Sequence, residues 1–274
     1  MLDEPLPLDD RGFAYGDGLF ETVLVRDGQA LLWRAHLERL ERGAERLGFE
    51  LPDPASLQAL PARCGPGLTV LKLVVTRGSG GRGYRPPGVA EPRWRWSVAP
   101  FAPQPERWRH GVVVRLCQLR LSWQPRLAGI KHLARLENVL ARQEWQDENI
   151  AEGILCDGDG NLVEATAMNL IWRRAGVLET PRLDRCGVAG TLLEALGERL
   201  PIHRVQASDL ALREADAAWV LNSVQGVWPL RRLVSAEGTR LKDWSLERQD
   251  SLQSAAHSLL GYPGSEDLRD LVAK

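Results

Sequence analysis

The chain has 274 residues, 44% apolar and 26% charged, with 35 basic against 36 acidic side chains, which is length for one large or two modest domains. A net charge of −1 with no basic tract excludes nucleic acid and anionic membrane as expected main partners, and no apolar run nears the roughly 20 residues of a membrane helix. Cys64, Cys117, Cys156 and Cys186 show no paired spacing, which suits reduced thiols, and Met1-Leu-Asp-Glu-Pro5 is no secretory leader, so a cytoplasmic protein is expected.

In chain order, residues 20–26 and 30–32 flank Asp27-Gly28, a hairpin signal. Leu37, Leu40, Ala44 and Leu47 then recur at helical steps and Gly48 stops the run. Leu68–Thr76 and Trp94–Ala99 read as strands, separated by a glycine- and proline-dense loop from Arg77 to Gly88. Pro100–Pro105 has the look of a linker, and Val112–Leu121 is strand-like. Lys131–Trp145 is predicted helical, with Leu133, Leu136 and Leu140 on its apolar side. Gly153–Cys156, Leu162–Glu164 and Met168–Arg173 are predicted strands around the turn at Asp157–Gly160, and a further hairpin turns at Ala175-Gly176. Ala189–Leu200 and Asp209–Glu214 are predicted short helices, Trp219–Leu221 a strand and Lys242–Leu260 a helix. The mixture lacks a regular βαβ rhythm and points to an α+β chain in two parts.

Two motifs fail on context. Gly78-Ser-Gly80-Gly-Arg-Gly83 fits G-x-G-x-x-G, but Tyr84-Arg-Pro86-Pro87 forbids the helix that a dinucleotide phosphate needs. Asp157-Gly-Asp159-Gly-Asn161 opens like a calcium loop, yet Leu162 stands where the turn requires glycine. The five histidines show no ligand spacing, so no metal is expected. Ten tryptophans fit core packing and interface anchoring.

Lys131 in Ala128-Gly-Ile-Lys-His-Leu-Ala-Arg135-Leu and Glu164 in Val163-Glu-Ala-Thr-Ala-Met-Asn169 are the two residues with the clearest chemical use. The ordinary account makes them a solvated lysine and a strand-edge glutamate. A Schiff-base lysine and an acid for a ring nitrogen are what a pyridoxal phosphate enzyme needs. Their company favours that use. His36-Leu-Glu-Arg39 lies on the first helix, Gly187-Val-Ala-Gly190-Thr feeds a helix start suited to an anion, and Asn222-Ser223 adds a hydroxyl.

Over residues 9–235 this set resembles the fold-type IV pyridoxal phosphate enzymes, which include branched-chain and D-amino acid aminotransferases and aminodeoxychorismate lyases. Arg77–Tyr84, Leu127–Leu140, Thr180–Asp184 and Gly187–Gly190 carry a closer resemblance to the 4-amino-4-deoxychorismate lyases. The resemblance implies a D-amino acid aminotransferase-like fold. Its small N-terminal α/β domain would span 1–103, a linker 104–111 and a larger C-terminal domain 112–274, with the site between the domains and a homodimer completing it. It implies that Lys131 is the Schiff-base lysine, Glu164 the ring-nitrogen partner and Arg39 the phosphate arginine. Val188, Ala189 and Ser223 are the further phosphate contacts. The expected activity is a lyase forming 4-aminobenzoate and pyruvate. An aminotransferase on the same fold and a non-catalytic binding protein are the alternatives. The run Ala165-Thr-Ala-Met168 is bulkier than the glycine-rich run of the aminotransferases and favours the lyase. Two substrate carboxylates call for arginine. Arg135, one helical turn past Lys131, and Arg82, in the glycine-rich loop, are the candidates, a plain surface role standing beside the latter.

Overall fold

The computed structural model describes residues 5–246 and 251–264. The chain divides into two compact units: the first holds the residues up to Ala102 together with Ile130–Arg135, and the second holds Pro103–Gly129 and the residues from Leu136 onward.

In the first unit, α1 (Arg11–Tyr15) is capped by the Asp10 carboxylate, which accepts from the Gly12 and Phe13 amides. The strands β1 (Gly18–Arg26) and β2 (Gln29–Ala30) form the expected hairpin, with positive φ at Asp27 (49°) and Gly28 (76°). Helix α2 (Trp33–Leu47) buries His36, Arg39, Leu40, Gly43 and Ala44. Glycine at 43 permits close approach, since a Cβ there would stand 2.7 Å from Leu19 Cδ2 on β1. A short α3 (Pro54–Gln58) precedes β3 (Leu68–Thr76) and β4 (Arg93–Pro100). The sheet is antiparallel in the order β2-β1-β3-β4.

The second unit opens with α4 (Pro105–His110), which occupies most of the 104–111 expected as a linker. Trp108 makes it a packed element: the ring is 1% exposed and its Nε1 donates to Gln225 O at 2.7 Å. There follow β5 (Val112–Leu121), α5 (Leu136–Arg142), β6 (Ile150–Asp157), β7 (Leu162–Ala165), β8 (Asn169–Arg174) and β9 (Val177–Pro181). After them come α6 (Thr191–Gly197), β10 (Ile202–Val205), α7 (Leu210–Glu214), β11 (Ala217–Asn222), β12 (Gly226–Val234), β13 (Arg240–Asp243) and α8 (Ser251–Leu260). Among the described residues, nine strands form one mixed sheet, ordered β10-β9-β8-β11-β12-β5-β6-β7 with β13 on β12.

Three predicted helices are markedly shorter than expected, and of the span 189–200 only Thr191–Gly197 is helical. The span 242–260 divides into the end of β13 and α8; residues 247–250 lie outside the described residues. The predicted helix over 131–145 is helical only across Leu136–Arg142. Lys131–Leu133 instead runs antiparallel to β1, where Phe20 N donates to Lys131 O and Leu133 N to Gly18 O, each at 3.0 Å. Hydrogen bonds to a strand edge outcompete helical periodicity there.

Candidate active site

In the first unit, the extended backbone at Lys131 sets its side chain beside Phe20, with Nζ 4.5 Å from the ring centroid. Lys72 approaches the same ring at 6.0 Å, because β3 pairs Lys72 with Thr22, two residues along β1 from Phe20. In the sequence, Lys72 is marked only by the alternation along Leu68–Thr76.

Glu21 lies on β1 between these positions in sequence and is 1% exposed. It accepts from Arg39 Nε at 2.8 Å and Nη2 at 2.5 Å, and pairs with His36 Nδ1 at 2.6 Å. Burial alone would raise the Glu21 carboxyl, but the Arg39 charge and His36 outweigh it and hold the group at about 2. Burial lowers His36 against the pull of Glu21, with the Arg39 and Lys131 charges adding to the lowering. A neutral His36 then donates Nδ1–H to the carboxylate. Thus Arg39 is fixed by a two-pronged pair on one side of its guanidinium.

Arg135 is placed differently from expectation. It does not follow Lys131 by a helical turn, since the helix begins only at Leu136. Its Nε and Nη2 turn back to the His132 and Ile130 carbonyls at 3.0 and 3.2 Å. Arg82 is exposed in the loop after β3.

In the second unit, Glu164 ends up 4% exposed, and its Oε2 accepts from the Val188 amide at 2.8 Å. Asn169 Nδ2 donates to the Val188 carbonyl at 2.8 Å, so β7 and β8 grip the 187–190 turn together. Glycine is required on both sides of that grip. Gly187 has φ +83° and a Cβ there would stand 3.4 Å from Glu164 Oε2, while a Cβ on Gly190 would stand 1.8 Å from Asn169 Oδ1. The Ala189 amide donates to Gly129 O at 3.1 Å. Both amides expected as phosphate donors, Val188 and Ala189, thus have protein acceptors in the structure. The first turn of α6 begins immediately after, at Thr191, with no side-chain cap at Gly190. Ser223 is buried in the turn after β11, where Asn222 Oδ1 accepts from the Val224 and Gln225 amides.

The 165–168 loop between Glu164 and Asn169 is fastened from three directions. Asn138 Nδ2 donates to Thr166 O at 3.0 Å, Asn222 Nδ2 donates to Ala167 O at 3.1 Å, and Glu152 accepts from Thr166 Oγ1 and the Ala167 amide. Glu152 was not foreseen, because a glutamate inside the strand pattern Ile150–Asp157 carries no motif. Burial pushes its carboxyl up to about 7 against those hydrogen bonds. The folded chain keeps this proton to about pH 7 and the unfolded chain loses it near 4.5, so stability falls as pH rises through that window, by roughly 3 kcal/mol in all. Urea midpoints measured from pH 5 to 8 should fall more steeply for the native chain than for Glu152→Gln; parallel curves would contradict the assignment.

By chemical type the residues of each unit suit pyridoxal phosphate: in the first a lysine amine and an arginine paired with Glu21, in the second a buried carboxylate and a buried hydroxyl. Among the described residues no helix is long and apolar enough to cross a membrane.

The sequence profile of the amino-transferase class IV family matches residues 18–233. An aminodeoxychorismate lyase of Vibrio harveyi is 35% identical over 240 residues, covering 85% of this chain and 89% of that one. The crystal structure of 4-amino-4-deoxychorismate lyase from Pseudomonas aeruginosa superposes with a TM-score of 0.84 at 42% identity, over 93% of this chain and 95% of that one. A D-alanine aminotransferase of Listeria monocytogenes is 25% identical over 260 residues, 88% of this chain and 86% of that one.

Proposed function

The chain belongs to the amino-transferase class IV family, and on that premise we propose that it is a pyridoxal phosphate-dependent lyase converting 4-amino-4-deoxychorismate to 4-aminobenzoate and pyruvate. The observation that carries this reading is similarity to the lyases over nearly the whole of both chains, well above the similarity to the D-alanine aminotransferase. The presence of Lys131, Glu164 and Arg39 argues against a chain kept only for binding.

When bound, pyridoxal phosphate supplies an aldehyde for amines and a ring that accepts electrons. Lys131 is the residue we assign to that aldehyde, and its released amine takes the proton from C4 of the substrate. Glu164 holds a proton at the ring nitrogen. Arg39, braced by Glu21, takes the phosphate, with Ser223 and the Gly190–Thr191 turn as further donors in place of Val188 and Ala189. The C4 electron pair forms the last ring double bond as the enolpyruvyl C–O bond breaks, and protonation of that fragment gives pyruvate. No water, oxidant or amino acceptor is consumed. For the substrate carboxylates we assign Lys72, beside the Phe20 ring that Lys131 also meets, in place of Arg135, and we keep Arg82.

Rates with 4-amino-4-deoxychorismate alone should exceed those with D-alanine or leucine plus 2-oxoglutarate. The reverse order would favour the aminotransferase.

A homodimer and a cytoplasmic location are part of the same proposal. Helix α5, expected to bury an apolar side, leaves Leu136 75%, Val139 50% and Leu140 53% exposed. A second copy of the chain is the proposed cover. Light scattering should report a dimer that Leu136→Asp weakens; an unaltered dimer would place the interface elsewhere.

A further inference from the structure

The glycine-rich loop that mimics a nucleotide motif is built around one buried guanidinium. Arg11 is 4% exposed, and its Nη1 donates to the carbonyls of Gly80, Gly83 and Arg85 at 3.3, 3.1 and 3.4 Å. Its Nη2 donates to Tyr84 O at 3.1 Å, and its Nε to Asp17 Oδ2 at 2.9 Å. Four carbonyls of one loop thus converge on a single side chain. Glycine makes that convergence possible: Gly81 has φ +83°, and a Cβ there would stand 2.1 Å from the Arg85 oxygen.

Asp17 orients the guanidinium and ties it to the rest of the unit. It also accepts from Arg77 Nε and Nη2 at 2.7 and 3.1 Å. Arg77 in turn donates to Leu47 O and Gly48 O, at the end of the helix that carries His36 and Arg39. Burial raises the Asp17 carboxyl, but the hydrogen bonds from Arg77 and Arg11 outweigh it and keep the group below its ordinary range. On the outside, Tyr84 packs edge-on against Tyr15 with centroids 5.4 Å apart, and the Arg11 guanidinium lies 5.0 Å from the Tyr15 centroid.

We propose that Arg11, oriented by Asp17, is the positioning residue of the 78–88 loop, holding its backbone in the conformation that presents Arg82 and so setting affinity for an acidic substrate that Arg11 itself does not touch. This rests on the assignment of Arg82 to a substrate carboxylate. Arginine is needed because its planar fork spreads donors toward several carbonyls at once, whereas a lysine ammonium offers three from one point.

The test is a double-mutant cycle on the holoenzyme with Arg11→Lys and Arg82→Ala, read by KM, kcat and tryptic cleavage of the bond after Arg82. Arg11→Lys should raise KM about tenfold, leave kcat within about twofold and speed that cleavage. Arg82→Ala should raise KM similarly, and the double variant should be no worse than the worse single one. Gly81→Ala, which displaces the Arg85 carbonyl without touching the buried charges, should reproduce the Arg11→Lys result if that variant folds poorly. An unchanged KM in Arg82→Ala would refute the reading of Arg82 itself. A rise in KM for Arg82→Ala with native cleavage in both Arg11→Lys and Gly81→Ala would overturn the role of Arg11. So would strictly additive effects.

Discussion

Replacing Lys131 with alanine should lower turnover by roughly four orders of magnitude, because one amine serves both as cofactor anchor and as base. The fold should survive. The segment is held through the Lys131 and Leu133 backbone on β1, which the substitution leaves in place. Borohydride reduction of the native holoenzyme followed by peptide mapping should place the pyridoxyl group on Lys131. Lys72 is the informative competitor, since its ammonium approaches the same ring. A label on Lys72, or near-native turnover in Lys131→Ala, would contradict the assignment.

Glu164→Gln should be the next most damaging change, slowing turnover by roughly two to three orders of magnitude while leaving fold and cofactor binding in place. The substituted amide can still accept from Val188 N through its oxygen, so the 187–190 turn keeps its anchor. What it loses is the negative charge that favours a proton on the ring nitrogen. Visible absorbance of the bound cofactor should persist in the variant. A fully active Glu164→Gln protein would refute this role.

Local chemistry made some of the architecture readable. The Asp27-Gly28 hairpin, α2 ending at Gly48, and the β-branched β3 follow from turn residues and periodicity. Long-range pairing hid the rest. Lys131–Leu133 has the spacing of a helix start, and only the β1 edge makes it extended. Pro229 and Arg231-Arg232 break the alternation of β12, although that strand lies between β11 and β5 in the large sheet. For the proposed site, the family resemblance pointed to Lys131, Glu164, Arg39 and Ser223. It could not reveal that the Val188 and Ala189 amides donate to Glu164 and Gly129, nor that Glu21, Glu152, Arg11 and Asp17 brace the segments around the proposed site residues. Those partnerships join positions distant in sequence, and no periodicity records them.

The central claim is that one substrate suffices. Purified protein loaded with pyridoxal phosphate and given 4-amino-4-deoxychorismate, with no keto acid present, should release 4-aminobenzoate and pyruvate in equal amounts over many turnovers per active site. Formation of at most one equivalent per site, resuming only when 2-oxoglutarate or another amino acceptor is added, would contradict it.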